Sequence, residues 1–417
     1  MTEQPITFKL QPDCSLIARE EPTERIVEIA VTAPPSRKTA QRMPLNLALV
    51  IDRSGSMDGE KLAQVCQAAA HVVTALAESD HAALVVFDDQ VNLLAPSQAV
   101  TAEHRLHLLE AIRSIRSGNT TNLGDGWLRG CQEIASTARQ GQLVRALLLT
   151  DGLANVGIVD PEELAGHARE LFSRGISTST FGVGLGFNEH LLEAMANQGG
   201  GNFYYIESPN QMVDIFNTEL QGLLAVTARA AEVHVDLPAG VSAQVLGGWR
   251  HELQAGKLQI NLGDLNQGMT REIFLKVIFP PSESPEPQKI TAQILARGEQ
   301  DEVLTAQTEI GFTRVSAAEA RSAARSQELL SRFALIYIAD VASRALKLER
   351  EGKRDAARQL LEPALLEYGQ FLEREKRHHY ESINAALPFG LTEDRRKTSH
   401  YAAYIHKQNR SDPDRGH

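Results

Sequence analysis

The sequence predicts an α/β domain with a doubly wound, mostly parallel sheet, inserted into an antiparallel β-sandwich and followed by a C-terminal helical hairpin. Three observations predict it. Between residues 45 and 225, short apolar runs alternate with segments of helical spacing, as expected of strands covered on both faces by crossover helices. On either side, at 6–33 and 228–312, the pattern changes to strict alternation, the mark of half-buried antiparallel strands. Beyond Ser316 the periodicity is helical.

Taken in order, Ile6 to Leu10 and Arg25 to Val31 alternate and read as strands within an N-terminal portion, 1–44. Pro34 and Pro35 end this portion. The run Leu45 to Ile51 opens the α/β domain, 45–225. Helices are predicted at 61–76, 101–115, 123–137, 161–174 and 189–197, and strands at 82–87, 145–150, 177–183 and 203–206. Alternation returns at 232–237, 257–262, 271–279, 290–295 and 309–312, separated by turn signals such as Gly247-Gly248 and the proline-rich 280–287. The portion 226–314 therefore completes the sandwich begun by 1–44, with the α/β domain in one of its loops. Ser316 with Glu319 forms a capping-box signature for a helix reaching about Glu351. Gly352 breaks it, and a second helix from Asp355 to about Lys376, kinked or divided at Pro363, completes a hairpin over 315–386. The remainder, 387–417, reads as a polar, loosely ordered tail with at most a weak amphipathic segment.

The chain has 417 residues, 42 Lys and Arg against 53 Asp and Glu, so the formal charge is 42 − 53 = −11. That balance argues against nucleic acid or an anionic membrane as a partner. Hydrophobic residues at 42% and charged residues at 23% exclude a mostly disordered chain. Cys14, Cys66 and Cys131 are odd in number, widely spaced and without a C-x-x-C pair, so neither a disulfide framework nor a thiolate zinc site is expected. No leader-like segment and no apolar run of spanning length is visible, which makes the reducing cytoplasm the expected compartment.

The informative segment is Asp52-Arg53-Ser54-Gly55-Ser56, directly after the first apolar strand. It places a carboxylate and two hydroxyls at i, i+2 and i+4 in a loop at the C-terminal end of a strand, where open α/β sheets bind ligands. Thr121, in Gly118-Asn119-Thr120-Thr121-Asn122, and Asp151, which follows the strand ending at Thr150, stand in the same positional sense. Three hydroxyls and two carboxylates, with no thiol or imidazole, make a hard oxygen set suited to Mg²⁺, Mn²⁺ or Ca²⁺. Alone, D-x-S-x-S also fits a helix N-cap.

These motifs resemble the metal-ion-dependent adhesion site of von Willebrand factor A domains: D-x-S-x-S, a later Thr in a Gly-rich loop, and an Asp in T-D-G. The surrounding text, LALVIDRSGSM, LVVFDD, TTNLGDGW, ALLLTDG and TFGVGLGFNEHLLEAMANQGGGNFYYI, is similar to the family in order and spacing over about 45–225. The resemblance implies a parallel sheet with one antiparallel edge and a complete site. In it, Ser54, Ser56 and Thr121 give hydroxyl oxygens to the metal, and Asp52 and Asp151 bind it directly or through water. One position would stay open for a partner's carboxylate. The loop is one residue longer than the family's common G-G-T-N-L, so Thr120 stands as the alternative to Thr121. Asp125 would cap its helix or support the site. The resemblance also implies coupling of the site to movement of the domain's last helix, here 209–224.

Hydroxyl ligands are neutral, so the two aspartates are the only anionic ligands, and a dication among them would remain an acceptor of one more anionic oxygen. No base stands nearby in sequence to activate a water, so the expected protein is not an enzyme but a metal-dependent adaptor binding a partner's Asp or Glu. Two other readings stay open. One is an accessory subunit of an ATPase or metal-chelatase complex. The other is a hydrolase with Ser54 as nucleophile. Gly182-Val183-Gly184-Leu185-Gly186 lacks nucleotide-loop spacing and reads as a strand-to-helix turn. His378 and His379, adjacent on a helix, point apart and read as a solvated helix end.

Overall fold

The structure, a computed structural model, describes residues 6–36, 42–284 and 286–408. The chain divides into two compact units, one formed by the described residues 42–226 and the other by 6–36 together with 227–408.

The discontinuous unit begins with β1 (Thr7–Pro12), β2 (Leu16–Ala18) and β3 (Thr23–Thr32). The α/β unit follows with β4 (Leu45–Asp52), α1 (Glu60–Ala75), β5 (His81–Phe87), β6 (Val91–Ala99), α2 (Ala102–Ser114), α3 (Leu123–Thr137), β7 (Leu143–Thr150), α4 (Pro161–Ser173), β8 (Ile176–Val183), α5 (Glu189–Gln198), β9 (Gly200–Ile206) and α6 (Met212–Leu224). Its sheet runs β6-β5-β4-β7-β8-β9. β5, β4, β7, β8 and β9 are parallel and β6 is antiparallel to β5. β4, β5, β7 and β8 are buried along their whole length, which is why they read as apolar runs. Sequence periodicity passed over β6: it is an edge strand, mostly half-buried, with Pro96 in it and two register shifts against β5.

α3 lies close against the sheet because two glycines face it. A β-carbon on Gly126 would come within 2.6 Å of the Phe87 ring, and one on Gly130 within 2.3 Å of Val50 Cγ2.

The discontinuous unit resumes with β10 (Val226–Asp236), β11 (Ser242–Val245), β12 (Arg250–Gln254), β13 (Lys257–Asn266), β14 (Thr270–Phe279), β15 (Gln288–Gly298) and β16 (Val303–Val315). Two sheets form, β1-β3-β14-β11 and β12-β13-β10-β15-β16-β2. β3 pairs with β14 from Thr23↔Phe279 to Thr32↔Thr270, so the two flanks of the α/β insertion share one sandwich. Val27, Ile29, Val31, Ile273, Leu275, Val233 and Ile294 fill its core. One pairing departs from the antiparallel expectation, since the short β2 runs parallel to β16.

The helical region keeps the hairpin broken at Gly352 but is more finely divided than expected over 315–386, and over 387–408 a helix stands where a loose tail was expected. It contains α7 (Ala317–Ser322), α8 (Gln327–Arg350), α9 (Arg354–Tyr368), α10 (Arg374–Ala386) and α11 (Glu393–Lys407). Ser316 caps α7, as its spacing to Glu319 suggested, but the helix stops at Ser322 and α8 begins anew after the cap Ser326. Gly352, at φ 79°, separates α8 from α9. Pro363 lies inside α9 without ending it; the division comes at the turn Gly369–Phe371. The supposed tail forms α11, capped by Thr392, with His400, Tyr401, Ala403 and Tyr404 buried. Glu349 of α8 anchors it, accepting from Arg396 Nε at 2.8 Å and from the Leu391 amide at 3.0 Å. Residues 409–417 of that expectation lie outside the described residues. Among the described residues, no helix is long and apolar enough to cross a membrane.

Candidate metal centre

The residues singled out by the motif gather at the C-terminal ends of the central strands of the α/β sheet. β4 and β7 are adjacent and parallel, with Ile51 opposite Leu149, so the loops carrying Asp52 and Asp151 leave the sheet side by side. Asp52 is fully buried, and its Oδ1 accepts the Ser54 amide at 2.8 Å. This Asx turn folds the loop back and brings both serines over the strand end. The N-cap alternative fails here: α1 starts only after Gly59, at φ 83°, with no side-chain cap. Ser56 Oγ lies 3.2 Å from Ser54 Oγ and donates to Asp151 Oδ1 at 2.6 Å.

Thr121 arrives from the loop before α3. That loop is held to the first one by Gly55 N donating to Asn119 O at 2.8 Å and Gly118 N donating to Arg53 O at 2.6 Å. A β-carbon on Gly152 would meet Thr121 Oγ1 at 3.1 Å and Asp52 Oδ2 at 3.8 Å. The absence of a side chain there lets this hydroxyl and this carboxylate both approach the Gly152 backbone. Thr121 is 4% exposed, whereas Thr120 is on the surface, so Thr121 is the threonine delivered to the site. Asp125 does neither of the things expected of it. It sits exposed in the first turn of α3 and accepts from Asn122 Nδ2 at 2.9 Å.

Three groups escaped the motif reading. Thr150 Oγ1 donates to Asp52 Oδ2 at 2.5 Å. Lys61, from the first turn of α1, is ion-paired with Asp151 Oδ2. Asn155 Oδ1 accepts the Thr121 amide at 3.0 Å. Thr150 stands beside Asp151 in the T-D-G signature and was visible there; Lys61 and Asn155 had no periodic or motif signal.

Burial, with a smaller contribution from the nearby Asp151, pushes the Asp52 carboxyl up to about 6 against the hydrogen bonds from Thr150 and Ser54 that favour its charged form. A buried, under-compensated carboxylate beside a second one is what a hard cation relieves. Among the described residues no group of three or more His, Cys, Asp and Glu side chains is placed to hold a metal. A cation here must therefore draw on hydroxyl oxygens, and Ser54, Ser56 and Thr121 provide them around the two aspartates. The donor chemistry fits such an ion, and Gly152 leaves Thr121 Oγ1 and Asp52 Oδ2 uncrowded by a β-carbon. Burial raises the thiols of Cys66 and, to about 12, of Cys131, so neither is a thiolate ligand. The glycine-rich segment after β8 is a turn into α5, whose N-cap Asn188 accepts from the amides of His190 and Leu191.

The von Willebrand factor type A domain model matches residues 46–218. The α/β unit is a von Willebrand factor type A domain. The uncharacterized protein YfbK of Escherichia coli (strain K12) is 29% identical over 239 residues, 56% of this chain and 41% of its own. An uncharacterized protein of Synechocystis sp. is 28% identical over 266 residues, 64% of this chain and 61% of its own. The chain thus spans between about two fifths and three fifths of these relatives. The solved structure of a von Willebrand factor type A protein from Catenulispora acidiphila has the same fold, with TM-score 0.75 over 97% of both chains at 15% identity. Von Willebrand A domains generally mediate protein–protein contacts and generally bind a divalent metal.

Proposed function

We propose that this protein is a divalent-metal-dependent interaction module that binds an Asp or Glu carboxylate of a protein partner at the edge of its von Willebrand A domain. One observation supports the reading: Asp52, Ser54, Ser56, Thr121 and Asp151, from three separate loops, come together beside Gly152 near the ends of β4 and β7. When bound, Mg²⁺ supplies a hard dipositive centre with affinity for one further anionic oxygen. Asp52 and Asp151 give charge, the three hydroxyls complete an oxygen shell, and Thr150 and the Ser54 amide hold Asp52 in place. Leu153 and Leu185, 49% and 47% exposed in the loops after β7 and β8, supply apolar surface beside the site for the residues flanking that carboxylate. The proposal is of a binding protein rather than an enzyme; the groups described around Ser54 are carboxylates and hydroxyls, which suit an ion better than they suit activation of a nucleophile. Three free cysteines agree with work in the reducing cytoplasm.

Calorimetric titration of the chelator-stripped protein with Mg²⁺, Mn²⁺ and Ca²⁺, beside Asp52→Ala, tests the metal. Binding that the variant abolishes is the expected result; equal heats in both proteins refute the site. Immobilised protein should then retain a partner in Mg²⁺ and release it in chelator.

A further inference from the structure

Lys61 stands outside the motif, yet it is the one ammonium bonded to a carboxylate of the candidate centre among the described contacts. Its Nζ donates to Asp151 Oδ2 and, at 3.2 Å, to the Ser56 carbonyl. Ser56 Oγ takes the other oxygen of Asp151, Oδ1, at 2.6 Å. Both oxygens of Asp151 are thus engaged by donors of the chain itself. Asp52 is held differently, by the Ser54 amide and the Thr150 hydroxyl, both neutral. The two buried carboxylates therefore carry a single compensating charge, and it belongs to Asp151.

The placement of that charge is built into the fold. Gly59, at φ 83°, turns the chain into α1 so that Lys61 falls in its first helical turn. The lysine stem reaches the site beside Gly184, where a β-carbon would lie 3.7 Å from Lys61 Cε. The Lys61 side chain is only about one-third exposed and its carboxylate partner is fully buried, so the field of the pair is not fully screened by water.

We propose that Lys61 is a positioning residue that fixes Asp151 and makes ion capture depend on the partner's carboxylate. This rests on the metal reading above. Asp52, Asp151 and Lys61 sum to −1 − 1 + 1 = −1, so a centre holding a dication carries +1 where it would otherwise be neutral. Repulsion from the ammonium weakens ion binding when no partner is present. The residual positive charge favours an anionic ligand over a neutral one. A lysine that merely propped Asp151 in place would act in the opposite direction, because its removal would loosen a ligand and weaken the ion.

The sign decides between them. Mg²⁺ is titrated into the full chain as wild type, Lys61→Met, Lys61→Gln, Lys61→Arg and Asp52→Ala, with thermal melts to confirm folding. Removing the charge by Met or Gln should tighten Mg²⁺ on the order of tenfold, and Arg should restore wild-type affinity. Wild type too weak to detect beside measurable binding in Lys61→Met supports the proposal equally. Weaker or unchanged binding in both neutral variants, with wild-type binding that Asp52→Ala abolishes, overturns the role of Lys61 and leaves the metal reading standing. No binding in wild type or in either neutral variant overturns both.

Discussion

Glu219 on α6 presents the sharpest energetic test of the von Willebrand A domain. It is 1% exposed, and its carboxylate accepts from Arg145 Nη1 at 3.0 Å, Ser179 Oγ at 2.6 Å, Asn202 Nδ2 at 2.6 Å and Tyr204 OH at 2.8 Å. Burial alone would raise this carboxyl, but the Arg145 guanidinium and the three neutral donors outweigh it and hold it below its ordinary value. Replacing Glu219 by Ala leaves Arg145, 4% exposed on β7, buried without its carboxylate. Breaking a buried pair in this way costs about 3–5 kcal/mol. With a urea slope of about 2 kcal/mol/M, the unfolding midpoint of this unit should fall by about 1.5–2.5 M. The double variant Arg145→Met/Glu219→Leu removes both charges and should recover most of the loss. A single-variant loss below about 1 kcal/mol, or a double variant no better than the single, would refute the assignment. The pH dependence has a fixed sign. Because the native carboxyl lies below its ordinary 4.5, its stabilisation is complete above that pH and fades as pH falls through the native value. The gap between wild type and Glu219→Gln should therefore be flat near neutrality and close in acid. The same cluster bears on the expected movement of the last helix. A slide of one turn, about 5.4 Å, would carry Glu219 out of reach of all four partners, so such a movement has to repay that cost from ligand binding.

Three further outcomes follow from particular contacts. Gly130→Ala sets a methyl against Val50 Cγ2 and should destabilise by about 1–3 kcal/mol in urea melts; in the double variant with Val50→Ala the losses should sum to less than the two singles. Thr121→Ala should weaken Mg²⁺ binding in calorimetry while Thr120→Ala leaves it unchanged, and the reverse order would move the ligand to the exposed threonine. Glu349→Ala removes the acceptor of Arg396 and of the Leu391 amide, so hydrogen exchange should accelerate in α11 before it does in the α/β unit.

The parts of this protein legible in its sequence are those whose chemistry is local or repeats along the chain. β4, β5, β7 and β8 are covered on both faces, so burial wrote itself as apolar runs. The sandwich strands have one buried face and alternate, which exposed the discontinuous unit on both sides of the insertion. Asp52, Ser54 and Ser56 lie within one turn of chain, Asp151 directly follows β7 and Thr121 stands just before α3, so the candidate donors were legible as a motif before any geometry. Other features depend on which surfaces meet. β6 is half-buried at an edge, and α11 buries polar and aromatic residues against α8 through Arg396 and Glu349. Neither burial leaves a periodic trace. Whether Thr120 or Thr121 faces Gly152, which carboxylate receives Lys61, and that Arg145 and Glu219 find each other are long-range choices. Each side chain is compatible with many environments, and only the packing of distant segments selects one.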